Sequence, residues 1–168
     1  GGGIVFYYSE EGFDVYQADG SIERCNYLEV SKTKVANVSW CSMKNLIDGC
    51  CYINTNTELG FGKMNTYKII NGKHSEGTVS SSNCAAKACF EYSTAQTAKG
   101  EWFLPSKDEL NLLYKNLGKR ILATATEEWH CSSSQDNDDG SWSQYFGFDY
   151  QASLDESSSC SVRAIRAF

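Results

Sequence analysis

Apolar and polar positions follow two rhythms along this chain, one of period two and one near 3.6. Residues 4–8, Ile-Val-Phe-Tyr-Tyr, are β-branched and aromatic and predict a strand. Residues 9–12 read as a turn and 13–17 as a second short strand, so the N-terminus predicts a hairpin. Residues 20–83 are rich in Asn, Ser, Thr and Gly and carry only short apolar pieces, such as Tyr67-Lys68-Ile69-Ile70. They predict loops and short strands, with a short helix over 42–48. Residues 84–100 give an apolar face made of Ala85, Ala86, Ala88, Cys89, Phe90 and Tyr92, and predict a helix stopped by Gly100.

The clearest local signal is "WFLPSKDELNLLYKNLGKRI", starting at Trp102. Ser106 is an N-cap, and Glu109 three residues on completes a capping box. Asp108 and Glu109 suit the positive end of the helix dipole, and Lys115, Lys119 and Arg120 the negative end. Leu110, Leu113, Tyr114 and Leu117 repeat at helical spacing, and Gly118 is the natural stop. Pro105 keeps the residue before it extended, so Trp102-Phe103-Leu104 is expected as a short extended lead-in. After residue 121 the helical rhythm is gone. Spaced aromatics (Trp129, Trp142, Tyr145, Phe146, Phe148, Tyr150) predict short strands, with Asp139-Gly140 as a turn. Residues 162–168, Val-Arg-Ala-Ile-Arg-Ala-Phe, alternate as a strand whose expected partner is the run at 4–8.

Length and composition add limits. A chain of 168 residues is expected to form one domain, 1–168, burying about 70% of its unfolded surface. No apolar run approaches the ~20 residues of a membrane helix, so direct membrane insertion is not expected. The start, Gly1-Gly2-Gly3 without Met or signal, reads as a processed or excised piece and leaves the compartment open. The net charge of -6 is unevenly spread. All eleven lysines precede residue 120, whereas 121–168 set Arg163 and Arg166 against eight acidic residues. That acidic field argues against nucleic acid and polyanionic glycans as partners. The eight cysteines contain no C-x2-C pair, which weakens a zinc reading. Their even number permits four disulfides in an oxidising compartment, while a chain this long folds without them, so buried thiols are an equal reading. Cys84 and Cys89 do not share a helical face, which disfavours a local metal pair.

The order of landmarks carries a resemblance. An N-terminal "GGIVFY", a helix, "WFLPSKDELNLLY", "SSSQ", Trp142-x-Gln144-x-Phe146 and the terminal "VRAIRAF" resemble the C-type-lectin-like domains at the ends of bacterial collagen-like adhesins. The likeness is strongest over 101–168 and thin over 20–83. It implies an α+β, C-type-lectin-like fold: two helices packed on small twisted antiparallel sheets, with the N- and C-terminal strands paired. The last part is similar to the target proteins of diversity-generating retroelements. In those proteins a reverse transcriptase rewrites a C-terminal region at template adenines, so an AAC codon can become any codon ending in C. The residues scattered between the anchors over 130–161 are all reachable in this way, Cys131 and Cys160 among them. The exceptions are Gln135, Trp142, Gln144, Gln151 and Glu156. One departure is that the family's aromatic pair before "SSSQ" is His130-Cys131 here.

The resemblance implies a hypervariable ligand-binding face, and its contact residues are expected at His130, Asp136, Asn137, Asp138, Asp139, Ser141, Ser143, Tyr145, Gly147, Phe148, Asp149, Tyr150, Ala152, Leu154, Asp155, Ser157 and Ser159. Tyr and Phe give rigid contact area and Ser, Asp and Asn adaptable hydrogen bonds, as in antibody paratopes. Without the resemblance the same stretch reads as a solvated surface loop. Trp142, Phe146 and the last strand are expected as scaffold. The implied partner is a protein or glycan on a cell surface, with the domain extracellular, at the cell surface or on a virion. The alternative is an adhesin of fixed specificity.

Two other chemistries are weaker. "DNDDG" at 136–140 has carboxylates that suit calcium, but it lacks EF-hand spacing, and Gly147 stands where the bidentate Glu is needed. An acidic turn is the better reading, and no cofactor is expected. The related fold also hosts formylglycine-generating enzymes with paired cysteines, for which Cys131 and Cys160 would be the candidates. With only His74 and His130 as histidines, no Cys–His–Asp arrangement supports it, and a non-enzymatic role is expected. His74 reads as a solvated loop residue, and Arg163 and Arg166 as anchors of the last strand.

Overall fold

The computed structural model describes residues 1–41, 53–72, 82–118 and 128–168. The chain is mixed α+β. Strands β1 (Ile4–Tyr16), β2 (Ile22–Val30) and β8 (Ile165–Ala167) form a three-stranded sheet in the order β1-β2-β8. Strands β3 (Ala36–Ser39), β4 (Trp129–Gln135), β5 (Gly140–Tyr145), β6 (Tyr150–Asp155) and β7 (Ser159–Val162) form a second sheet in the order β3-β7-β4-β5-β6. Pairing is antiparallel except between β4 and β7, which run parallel. Among the described residues there are three α-helices, α1 (Gly62–Asn71), α2 (Ala85–Glu91) and α3 (Lys107–Leu113), where two were expected. The predicted helix at 42–48, together with His74, Cys50 and Cys51, lies outside the described residues.

The N-terminal hairpin is displaced. Residues 9–12 do not turn the chain; they form an irregularity inside one long strand, between the pairs Tyr8–Tyr27 and Phe13–Cys25. The side-chain amide of Asn26 donates to the carbonyls of Ser9 (2.8 Å) and Glu10 (3.3 Å), which satisfies backbone that the ladder leaves out. The turn falls later, where Gln17 N donates to the Ser21 carbonyl at 2.9 Å and Gly20 takes a φ of 84°.

The terminal strand also differs from expectation. It pairs with β2, not with β1, through Leu28–Ala167, Glu29–Arg166 and Val30–Ile165. The run 159–168 is two strands, with β7 in one sheet and β8 in the other. Arg163 and Ala164 make the crossing. The Arg163 guanidinium donates to the carbonyls of Ser31 (3.3 Å) and Lys32 (3.2 Å), and the Ala164 carbonyl accepts from Ser31 N at 2.9 Å. On β8, Arg166 Nε donates to Glu29 at 2.6 Å. Both arginines are therefore structural anchors.

Helix α3 begins as its sequence dictates. Ser106 Oγ accepts from Glu109 N at 3.3 Å, and Glu109 accepts from Ser106 N at 2.7 Å. The other Glu109 oxygen accepts from Gly60 N at 2.9 Å, which ties the helix to the preceding loop. Gly60 has φ 91°, and a Cβ there would collide with the Asp14 carbonyl oxygen. The helix continues through one π-helical turn, Tyr114–Gly118. Helix α2 ends at Glu91, well short of Gly100, because Tyr92 turns extended and Thr97 Oγ1 accepts from Thr94 N at 3.0 Å.

Two apolar clusters result. One joins Phe6, Phe13 and Val15 of β1 and Leu28 and Val30 of β2 to Leu110, Leu113, Phe146 and Ile165. The other gathers Trp40, Ile69, Trp102, Leu104 and Val162 around α2. Residues 102–104 are extended as expected, and Phe103 bridges Ile165 through paired backbone bonds of 2.9 Å.

Candidate binding face

The "SSSQ" segment, small and polar, is interior. Ser132, Ser133 and Ser134 are fully buried, and each is held by other parts of the chain. Ser132 Oγ donates to the Trp142 carbonyl (2.6 Å), Ser133 N to the Pro105 carbonyl (2.6 Å) and Ser134 Oγ to the Asn56 carbonyl (2.8 Å). Gln135 accepts from Ile53 N at 2.6 Å and donates to Glu156 at 3.0 Å. Small hydroxyl side chains suit this strand because a buried backbone must find partners at close range.

Beyond that segment, register sorts the expected contact residues. Directly opposed residues of antiparallel strands project to one side. Ser141 stands opposite Leu154, Ser143 opposite Ala152 and Tyr145 opposite Tyr150, so all six share one face of the β5–β6 ladder. Trp142 opposite Ser153, and Gln144 opposite Gln151, take the other face. That face meets the start of α3. Gln151 Nε2 donates to the Lys107 carbonyl at 3.0 Å, and Lys107 Nζ lies 3.2 Å from the centre of the Trp142 ring. Trp142 is half-buried there and not a core residue; Phe146 is the buried aromatic anchor.

The first face has a covered middle and two open ends. Ser141 and Ser143 are buried, and Ala152 and Leu154 half-buried. At one end, Trp129 stacks near Tyr145 (5.3 Å between ring centres) and Tyr150 (5.9 Å), and Tyr145 near Phe148 (5.0 Å). Phe148 is 67% exposed and Tyr150 55%. Gly147 and Asp149 complete that turn. At the other end, Asp136, Asn137, Asp138 and Asp139 form the exposed turn before β5, beside Asp155. Ser157, half-buried, follows in the connection to β7, and Ser159, exposed, is the first residue of β7. The length of β5 sets these ends about 17 Å apart. Side chains shape the acidic turns: Asp139 N donates to Asn137 Oδ1 (3.0 Å) and Ser157 N to Asp155 Oδ1 (2.7 Å).

His130 does not belong with these contacts. It is fully buried opposite Gln144, on the face toward the core, with its ring 3.9 Å from that of Phe146. Ser141 and Ser143 are also out of reach of solvent as they stand. Trp129 was not expected as a contact; its place in the aromatic end follows from a pairing with Tyr145 that no local pattern announces. The cysteine pattern likewise left pairing open, and Cys131 of β4 is disulfide-bonded to Cys160 of β7, with Cα atoms 5.6 Å apart.

Glu156 gives this end a pH response. Burial pushes its carboxyl up to about 7, against the hydrogen bond from Gln135, and Asp139, Asp155 and Asp138 push the same way. Burial also raises Glu109 to about 7, despite the backbone N–H groups that hold it. Both groups keep their protons in the folded state at pH values where the unfolded chain, with an ordinary carboxyl near 4.5, has lost them. Stability from this source is complete below about 4.5 and is lost as pH rises through 7. The melting temperature is therefore expected to fall between pH 5 and pH 8, and Glu156→Gln should flatten that decline in a thermal scan series.

Among the described residues, no group of His, Cys, Asp and Glu is arranged to hold a metal, and no helix is long and apolar enough to cross a membrane. In comparisons with known proteins, no family model matches the chain and no curated protein matches it.

Proposed function

We propose that the chain is a non-enzymatic binding module of C-type-lectin-like fold, the target of a diversity-generating retroelement, displayed at a cell surface or on a virion. Its ligand is a protein or glycan met by the two open ends of the β5–β6 face and the turns there. One observation carries this reading. On β5 the residues that the resemblance makes replaceable alternate with those it makes anchors: the strand register puts Ser141, Ser143 and Tyr145 on one face, with Tyr150, Ala152 and Leu154 of β6 opposite them, and Trp142 and Gln144 on the other, with Gln151 and the replaceable Ser153 and Asp155. A fixed backbone with interchangeable outward side chains is what a display surface needs. The test is the coding locus. A nearby near-copy of the segment for 130–161, differing only at adenines and accompanied by a reverse transcriptase gene, is the expected finding. An invariant segment across isolates, with no such copy, would overturn it.

A second reading, an adhesin of fixed specificity, draws on a different observation. His130, Cys131 and Cys160 fall within the replaceable segment, yet His130 packs in the core and the two cysteines are bonded to each other. Such positions do not vary freely. Invariant side chains across isolates at the two open ends as well would favour this reading.

A further inference from the structure

Four cysteine thiols among the described residues lie outside the Cys131–Cys160 bond. Cys25 sits in the first apolar cluster, and Cys41, Cys84 and Cys89 share the second. Cys89 is fully buried in α2, five residues beyond Cys84 and turned to another side of the helix. Cys41 and Cys84 oppose one another across an antiparallel backbone bridge. The flanking bond, Ala85 N to the Trp40 carbonyl at 3.1 Å, makes them a non-hydrogen-bonded pair. In such pairs the Cα atoms stand about 4.5 Å apart and the side chains are at their closest. Disulfides span Cα separations of about 4.4–6.8 Å. We propose that Cys41 and Cys84 close a second disulfide.

The chemistry at the pair is favourable. In the finished fold the Cys41 thiol lies within hydrogen-bonding reach of the Cys84 sulfur. The Cys84 thiolate attacks a sulfur of the oxidant, a small-molecule disulfide or the disulfide of an oxidoreductase, and expels one thiolate. The Cys41 thiolate then attacks Cys84 in the mixed disulfide and expels the second. The two cysteines lose two electrons and two protons, and the oxidant becomes two thiols. Cys84 is fully buried in the finished fold, so the exchange precedes final packing. The bond joins the chain just after β3 to the N-terminus of α2. Strand β3 pairs with β7, whose Cys160 is bonded to β4. One covalent link would thus tie β4 to β7, and the other would tie the end of the neighbouring β3 to α2.

This inference rests on the oxidising compartment that the surface reading supplies, and one experiment separates the two. The full chain, secreted into an oxidising compartment, is unfolded with a thiol-alkylating reagent and no reductant, digested with trypsin, and mapped by mass spectrometry. Cleavage after Lys34, Lys44, Lys73 and Lys87 isolates Cys41 in peptide 35–44 and Cys84 in peptide 74–87. The expected result is these two peptides linked, with Cys25 and Cys89 alkylated. Cys84→Ser should then add Cys41 to the alkylated set. Alkylated Cys41 and Cys84 beside an intact Cys131–Cys160 link would overturn the proposal alone, as would Cys41 linked to Cys50 or Cys51. Alkylation of Cys41, Cys84, Cys131 and Cys160 together would overturn the proposal and count against the surface reading as well.

Discussion

Phe146→Ala is expected to destabilise the protein by about 3–5 kcal/mol, as removal of a buried aromatic does. Tyr150→Ala, four residues on, should leave stability within about 0.5 kcal/mol, as substitutions at exposed positions do. The contrast comes from placement. Phe146 is 1% exposed, with its ring against Tyr114 (5.4 Å) and His130 (3.9 Å). Tyr150 is 55% exposed and touches only the edge of the aromatic end. Chemical denaturation of the two variants checks this. Equal losses would show that the aromatic end is core and that the face has been assigned to the wrong residues.

Replacing Cys131 and Cys160 together with Ser should cost about 3–4 kcal/mol. The bond closes a loop across a separation of 29 residues, and releasing it restores that freedom to the unfolded chain. Both sulfurs lie in the second apolar cluster, so the two hydroxyls add a burial cost of their own. The loss should appear as a lower denaturation midpoint in the double variant. Reductant would open the proposed Cys41–Cys84 bond as well, so the double variant, and not reduction, isolates the contribution of Cys131–Cys160. A double variant as stable as wild type would mean that the bond does not hold the two strands.

How much was legible follows from the range of the interactions. The start of α3 was readable because a capping box is closed by residues three apart, Ser106 and Glu109. The extended 102–104 lead-in was readable because proline acts on its immediate neighbour. Helix α1 was not readable, since its buried side includes Gly62, Asn65 and Thr66 and makes no apolar stripe. Asn65 is inside because it exchanges hydrogen bonds with the Asn56 backbone, donating at 2.7 Å and accepting at 3.0 Å, partners that only the fold supplies. The misplaced N-terminal turn has the same origin: Asn26, far along β2, holds residues 9 and 10 in the strand. The terminal run kept its strand character, but its switch between sheets depends on Arg163 meeting the carbonyls of Ser31 and Lys32.

In the candidate site, the β5 residues that the resemblance implies as contacts share one face because side-chain direction has period two, whereas Asp155 of β6, also implied as a contact, falls on the other. Depth does not follow from that period. Ser141 and Ser143 point the same way as Tyr145, yet only the tyrosine is large enough and near enough to the open end to reach solvent. The burial of "SSSQ" was equally hidden, since small polar residues read as loop until their partners at Pro105, Asn56 and Trp142 are known.

The central claim is that a fixed scaffold displays interchangeable side chains at the two open ends of the β5–β6 face. It is tested most directly by a displayed library that randomises Asp136, Asp138, Asp139, Tyr145, Phe148, Asp149 and Tyr150 together and leaves all other residues alone. The account predicts that most members fold with melting temperatures near wild type, and that selection on an arbitrary protein ligand enriches binders whose differences lie at those seven positions. Widespread loss of folding across the library, or a folded library that yields no binders, would contradict it.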